Sequence, residues 1–194
     1  WLYRALKGRT IVFSKEIASR LTTLTYGLDV AGAMAALIVE PRALGEAYHI
    51  TQRNAATWRD VLNVYLLILE RHLGMRPKVV VLVFDDFSRC KPAEYQIKYD
   101  RLFNRVFDNS KIAEFVDLRR FRSTEQGLAR CLEEFLKQPH FRCIDWRSEA
   151  IKDRYSGEMA SLKELANWKQ KIKYLIYRFI KIRSEERRVG KECW

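Results

Sequence analysis

Leu24 to Thr51 read LTYGLDVAGAMAALIVEPRALGEAYHIT, and the order of elements encoded there decides the fold class. Asp29 is placed to cap a helix starting near Val30, because its carboxylate can accept the backbone N–H groups that a helix start leaves unpaired. Apolar residues nearly fill Ala31 to Val39, and Gly32, Ala33, Ala35 and Ala36 let a neighbour approach closely. A helix apolar almost all round is expected to be buried, here against a sheet. Pro41 stops it and Gly45 permits the turn. The run Ala47-Tyr48-His49-Ile50-Thr51 is short and rich in β-formers, which predicts a strand. A helix feeding a strand in this way belongs to a layered α/β domain. His49 reads as a structural residue of that strand, because no second His or Cys stands near it to build a metal site.

Outward from this stretch, helix and strand signals alternate without a long linker or a repeat. Thr57 followed by Asp60 is a capping box, and Leu62, Leu66, Leu69 and Leu73 recur at helical spacing until Gly74 ends the run. Val79 to Phe84, VVVLVF, is a wholly apolar run of strand length and predicts a buried strand. Asp108-Asn109-Ser110 opens a further helix through Lys111, Ile112 and Phe115. Another starts at Ser123 or Thr124, carries Leu128, Leu132, Phe135 and Leu136 on one face, and stops before Pro139.

Composition bounds the class. The 194 residues suit one domain, or a large part of one, and 48% hydrophobic residues are ample for a core. No apolar run reaches the roughly 18 residues that span a bilayer, and no signal peptide precedes the fold, so cytoplasm is the expected compartment. The chain opens on Trp1 in what reads as mid-helix, Trp1-Leu2-Tyr3-Arg4-Ala5-Leu6, which suggests an N-terminal portion upstream of it. Arg183 to Cys193, RSEERRVGKEC, looks like an in-frame translated sequencing adapter and is set aside from fold reasoning, with 183–194 as an artefactual tail. It holds four cations and three carboxylates, so excluding it only lowers the formal charge from +12 to +11. The remaining cysteines, Cys90, Cys131 and Cys143, show no CxxC spacing and read as reduced thiols.

Four ordered blocks carry a family resemblance: TLTYGLDVAGAMAALIVEPRALGEAYHIT, TWRDVLNVYLLILERHLG, VFDNSKIAEFV and TEQGLARCLEEFLKQP. Together, over roughly Ala5 to Trp146, they resemble the C-terminal half of NAD-dependent epimerase/dehydratase proteins of the extended short-chain dehydrogenase/reductase family. The resemblance implies the C-terminal part of a Rossmann-type α/β fold, with a helix-rich substrate-side lobe at 1–146; the residues that follow, 147–182, read by themselves as a helical basic extension. It implies NAD or NADP held mainly by an N-terminal half, a nucleotide-sugar as substrate, and a homodimer when the protein is complete. The family's chemistry needs a Gly-rich phosphate turn and a Tyr-x-x-x-Lys pair, in which lysine stabilises the phenolate of a general acid/base. No tyrosine is read as preceding lysine by four residues in a helix of the right kind; Tyr95 comes nearest, with Lys98 one residue short. Those groups are expected upstream, and the chain alone is expected neither to bind dinucleotide well nor to catalyse. For the substrate, the resemblance points to Arg20, ahead of the Tyr26-Gly27-Leu28-Asp29 block, to Tyr26 itself, and to Lys98 or Arg101 as the second phosphate partner.

Past Trp146 the resemblance fades. Trp168, Ile172, Leu175, Ile176 and Phe179 form one apolar stripe flanked by Lys169, Lys171, Lys173, Arg178 and Lys181. A basic amphipathic helix of this kind over 168–182 suits peripheral contact with an anionic membrane, the alternative being a stripe docked on this protein or a dimer partner. Two other functions stay open: an RNA-binding relative of the same superfamily, and a reductase of another small carbonyl substrate. The charge of +12 is compatible with RNA, but no RRM aromatic pair or KH GxxG loop is visible and nucleic acid is disfavoured as a partner.

Overall fold

The structure is a computed structural model that describes residues 1–90 and 94–180. Helix α1 (Leu2–Leu6) ends at Gly8, whose φ of +68° is a left-handed turn that glycine adopts without strain. The turn delivers β1 (Ile11–Ser14), buried along its whole length. The Ser14 hydroxyl then accepts the Ile17 N–H and starts α2 (Lys15–Ala18). β2 (Leu21–Thr22) and α3 (Gly27–Ile38) follow. β3 (Ala56–Thr57) runs antiparallel to β2 with Leu21 opposite Thr57, and leads directly into α4 (Trp58–Leu73). β4 (Val79–Leu82) lies parallel to β1, Ile11 opposite Val79, and passes into α5 (Phe84–Arg89). α6 (Glu94–Gln96) continues as a π-helical turn over Ile97–Arg101, followed by α7 (Ser110–Ala113), α8 (Thr124–Lys137), α9 (Trp146–Ser156) and α10 (Trp168–Phe179). The fold is mixed α/β and helix-rich, with two small sheets among the described residues.

The principal core wraps β1. Ile11, Val12 and Phe13 meet Val61, Leu62, Leu66 and Leu69 of α4, Leu132 and Leu136 of α8, and Ile151 of α9. Both long helices start as expected. Thr57 and Asp60 exchange backbone bonds in a capping box, as do Ser123 and Gln126, and Gly74 closes α4 at φ +73°. A smaller cluster of Ala150, Ala160, Leu165 and Tyr174 joins α9 to α10.

Four expectations are corrected. Asp29 is not the N-cap of α3. The helix begins three residues earlier than expected, at Gly27, with Tyr26 as the cap position, and the Asp29 carboxylate instead accepts the Arg122 backbone N–H at 2.7 Å and its guanidinium at 2.5 Å. α3 is not buried against a sheet: only Ala33 is enclosed, and Ile38 and Val39 are 79% and 81% exposed. Residues 47–51 form no strand. A strand needs a neighbour for its ladder, and here the Thr51 and Gln52 carbonyls accept from the Asn109 side chain while the Gln52 N–H goes to the Thr25 hydroxyl. The run 79–84 does contain a strand, but it ends at Leu82 and is half-buried; among the described residues β1 is its one ladder partner, and Val81 is 55% exposed.

The residues past Trp146 are tied to the body by charge. Arg4, 2% exposed, donates from Nε to the Thr10 carbonyl at 2.6 Å, from Nη1 to Asp153 at 2.7 Å and Glu149 at 3.1 Å, and from Nη2 to Glu158 at 3.1 Å and Ser156 at 3.3 Å. Arg9 pairs with the other Asp153 oxygen at 3.0 Å. That oxygen also accepts from the Tyr174 hydroxyl at 2.5 Å, so one carboxylate holds α1, the start of β1 and α10 together. Buried charges persist only when paired and hydrogen-bonded in this way.

Candidate functional site

The site is built where the two short strands meet the start of α4. The Trp58 N–H donates to the Arg20 carbonyl at 3.0 Å. On the far side of β2 the chain returns: the Arg105 N–H donates to the Leu21 carbonyl at 2.9 Å, the Leu21 N–H donates to Asn104 Oδ1 at 2.9 Å, and the Thr23 hydroxyl donates to the Arg105 carbonyl at 2.9 Å. These bonds fix Arg105 beside Trp58, whose ring is 8% exposed.

Two guanidinium groups converge on that ring, Arg101 at 4.9 Å and Arg105 at 6.0 Å from its centroid. Arg105 is partly compensated by an ion pair with Asp100 at 2.9 Å and a bond to the Thr22 hydroxyl at 2.7 Å. Arg101 has no ion-pair partner among the described residues and reaches only Gln96 Oε1, at 3.5 Å. Burial pushes the Arg101 guanidinium below its ordinary pKa; Asp100 opposes that fall and Arg105 adds to it. The Nε atoms of both arginines and Nε1 of Trp58 are buried without a hydrogen-bond partner among the described residues. Among the described residues, then, Arg105 is matched by one carboxylate and Arg101 by none, a surplus of positive charge that an anion would relieve.

Of the residues expected at a substrate site, Arg20 and Arg101 are brought to this place, Arg20 by its backbone with an exposed side chain. Lys98 lies outside, exposed, its ammonium 5.8 Å from the Tyr99 ring that stacks on Tyr95. Tyr26 belongs to a different junction: the Arg122 guanidinium covers its ring at 4.8 Å, and it packs so closely on α8 that a Cβ at Gly127 would stand 3.2 Å from Tyr26 Cβ. Trp58 and Arg105 are functional candidates that sequence reasoning missed. Trp58 follows directly on a strong cap signal and reads as the first residue of a helix, and Arg105 precedes a block whose visible signal is a helix start.

Two pairs do stand at Tyr-x-x-x-Lys spacing, contrary to expectation: Tyr177 and Lys181, of which Lys181 lies outside the described residues, and Tyr3 and Lys7. The latter are no hydride-transfer pair. The Tyr3 hydroxyl donates to the Glu164 carboxylate at 2.5 Å, and burial and that carboxylate raise its pKa, the reverse of what a general base needs. Lys7 is exposed at the end of α1. The Gly-rich phosphate turn of a dinucleotide site does not follow β1 either. The turn from β1 into α2, Phe13-Ser14-Lys15, carries no glycine, and the Ser14 hydroxyl is already engaged by Glu16 and the Ile17 N–H. His49 is exposed beside Phe107, 3.3 Å from the Asp108 carbonyl, with no ligand geometry about it. Cys90 is buried, its thiol pushed up to about 12 by burial, and inert at neutral pH.

A second concavity of about 460 Å³ lies between the loop 52–56, α4 and the start of α8, with Asn54, Asp60, Asn63, Ser123 and Glu125 on its walls. Its two carboxylates make it unsuited to phosphate. Among the described residues no cluster of His, Cys, Asp and Glu could hold a metal ion, and no helix is long and apolar enough to cross a membrane. No family model matches the chain, and no curated protein or solved structure matches it.

Proposed function

We propose that this chain is the substrate-side portion of an NAD-dependent epimerase/dehydratase with a Rossmann-type remainder, and that the site around Trp58 receives the diphosphate of a nucleotide-sugar. The observation that carries the reading is the pair Arg101 and Arg105, two guanidiniums against one ring with a single carboxylate between them. A diphosphate supplies negative charge and pairs of oxygens that the planar guanidinium fork can bind bidentately. The ordered blocks from Thr23 to Pro139 supply the family side of the argument. NAD or NADP, with the hydride transfer it supports, is assigned to residues outside this chain, since no Gly-rich phosphate turn follows β1. The α3 face and the outer edge of β4 are the surfaces on which such a remainder would pack.

RNA binding is the second reading, and Trp58 argues against it. Single-stranded nucleic acid needs an open aromatic face for its bases, and this ring is buried beneath two arginines. Titrating the chain with UDP and a UDP-sugar by calorimetry tests the proposal. Saturable binding competed by pyrophosphate is the expected result; no binding of any nucleoside diphosphate, or equal binding of RNA oligonucleotides at the same arginines, would overturn it. Added NAD is expected to yield no turnover.

A further inference from the structure

We propose that α10 lies along an anionic lipid surface, with Trp168, Ile172, Ile176 and Phe179 entering the headgroup region. The inference is independent of the Trp58 site. It starts from how α10 is held. Tyr174 is fully buried, bonded to Asp153 and packed edge-on against Trp146, while Tyr177 faces the guanidinium of Arg147 at 5.0 Å. Arg154 of α9 donates to the carbonyls of Tyr177, Arg178 and Ile180, closing the helix end, and Arg178 Nε donates to the Glu158 carbonyl at 2.8 Å.

With 174 and 177 turned inward, helical periodicity turns 168, 172, 176 and 179 outward. All four side chains are exposed, as is Ile180. The apolar stripe is thus presented to the surroundings by a helix whose other face is already anchored, over a length of about 18 Å. A shallow trough of about 340 Å³ runs along it, bounded by Lys169 and Lys173.

Charge selects the occupant. From Leu165 to Ile182 the sequence has no Asp or Glu and five cations, Lys169, Lys171, Lys173, Arg178 and Lys181. Within the described part, Lys169 and Lys173 border one side of the stripe and Lys171 and Arg178 the other. Lys181 lies outside the described residues. Two copies packed stripe to stripe would set these cations against each other. Nucleic acid would use the cations and leave the stripe uncovered. An anionic bilayer surface answers both features, taking up the apolar face between headgroups that pair with the flanking cations, with tryptophan at the interfacial depth it prefers.

The test is co-flotation of the full chain with vesicles of phosphatidylcholine alone and of phosphatidylcholine with phosphatidylglycerol. Binding is expected to the anionic vesicles only, and to weaken as salt rises from about 0.1 M to about 1 M, where the Debye length falls from about 10 to about 3 Å. Replacing the two exposed lysines, Lys169→Gln with Lys173→Gln, should weaken binding about 25-fold, at about fivefold per surface cation. Ile172→Ser with Ile176→Ser should abolish it while near-ultraviolet circular dichroism shows the fold intact. No partition into anionic vesicles would overturn the proposal, and so would partition unchanged in the isoleucine variant. A concentration-dependent dimer lost in that variant would overturn it in favour of a second copy. Salt-dependent RNA binding that needs the lysines but not the isoleucines, without vesicle binding, would overturn it in favour of nucleic acid.

Discussion

Arginines define two regions of this molecule, and the two are finished differently. At the joint between α1 and α9, Arg4 spends its donors on three carboxylates, a hydroxyl and a carbonyl, and Asp153 accepts from Arg4, Arg9, Tyr174 and the Ala160 N–H. Around Trp58, Asp100 pairs with Arg105 while Arg101 has no ion-pair partner, and both leave a buried Nε without a partner, all among the described residues. A network in which each cation is matched by carboxylates is architecture even though Arg9 Nε stays unpartnered among the described residues, because any ligand would have to displace ion pairs already made. A network with surplus charge has an affinity to offer. Substitutions should therefore act on stability in the first region and on binding in the second.

The largest effect is expected from Asp153→Ala. It leaves Arg4 short of one partner and Arg9 of its closest one, at a buried position, and breaking such a buried pair costs about 3–5 kcal/mol. Urea unfolding monitored by circular dichroism would register this; a loss below about 1 kcal/mol would mean the network is not closed as described.

The same joint predicts an alkaline transition. Burial, and the bond to Asp153, push the Tyr174 phenol up to about 12. The folded state therefore holds that proton more tightly than the unfolded chain, so its contribution is complete below an ordinary tyrosine pKa near 10 and is lost as pH rises through about 12. The loss from Tyr174 should be on the order of 2 kcal/mol, read from denaturation midpoints on either side of that window. Tyr174→Phe should flatten that dependence. Tyr155, raised likewise to about 12 by burial and its bond to Asp86, should leave a residual slope.

In the open region the balance reverses. Arg101→Ala removes a guanidinium whose pairing is poor, so stability should change by no more than about 1 kcal/mol. Nucleoside diphosphate binding should fall at least about tenfold, the equivalent of about 1.4 kcal/mol. Calorimetry on the variant and the parent chain separates the two. A collapse of stability with no change in binding would put Arg101 with Arg4 as architecture.

What could be read from the sequence follows the distance over which each feature is encoded. The capping box at Thr57 and the helix start at Ser123 lie within four residues and stand as read, and the α10 stripe does so except at Leu175, which packs on the inner cluster with Tyr174. β1 carries no sequence signal because three apolar residues and a serine between two short helices have no period of their own. Arg101 was reachable through family resemblance. Arg105 and Trp58 were not, because what joins them is a backbone ladder from Leu21 to residues 83 and 84 positions away, a contact that leaves no local pattern. The strand expected at 47–51 fails for the converse reason: its composition is local, while the neighbour that would make it a strand is not among the described residues.

The smallest effect is the most discriminating for α3. Its composition suits a buried helix, yet Met34, Ile38 and Val39 face outward, so in this chain Ile38→Ser removes little enclosed surface. Stability should shift by less than about 0.5 kcal/mol, as at an ordinary surface position. Were the helix covered, by self-association or by the loop that follows it, losing that side chain would cost on the order of 2–5 kcal/mol, as core truncations do. A shift of that size would move α3 from the open region to the closed one. It would also remove the surface on which the rest of a dinucleotide-binding fold is proposed to pack. A null result leaves an apolar helix whose sequence asks for a partner that these residues do not provide.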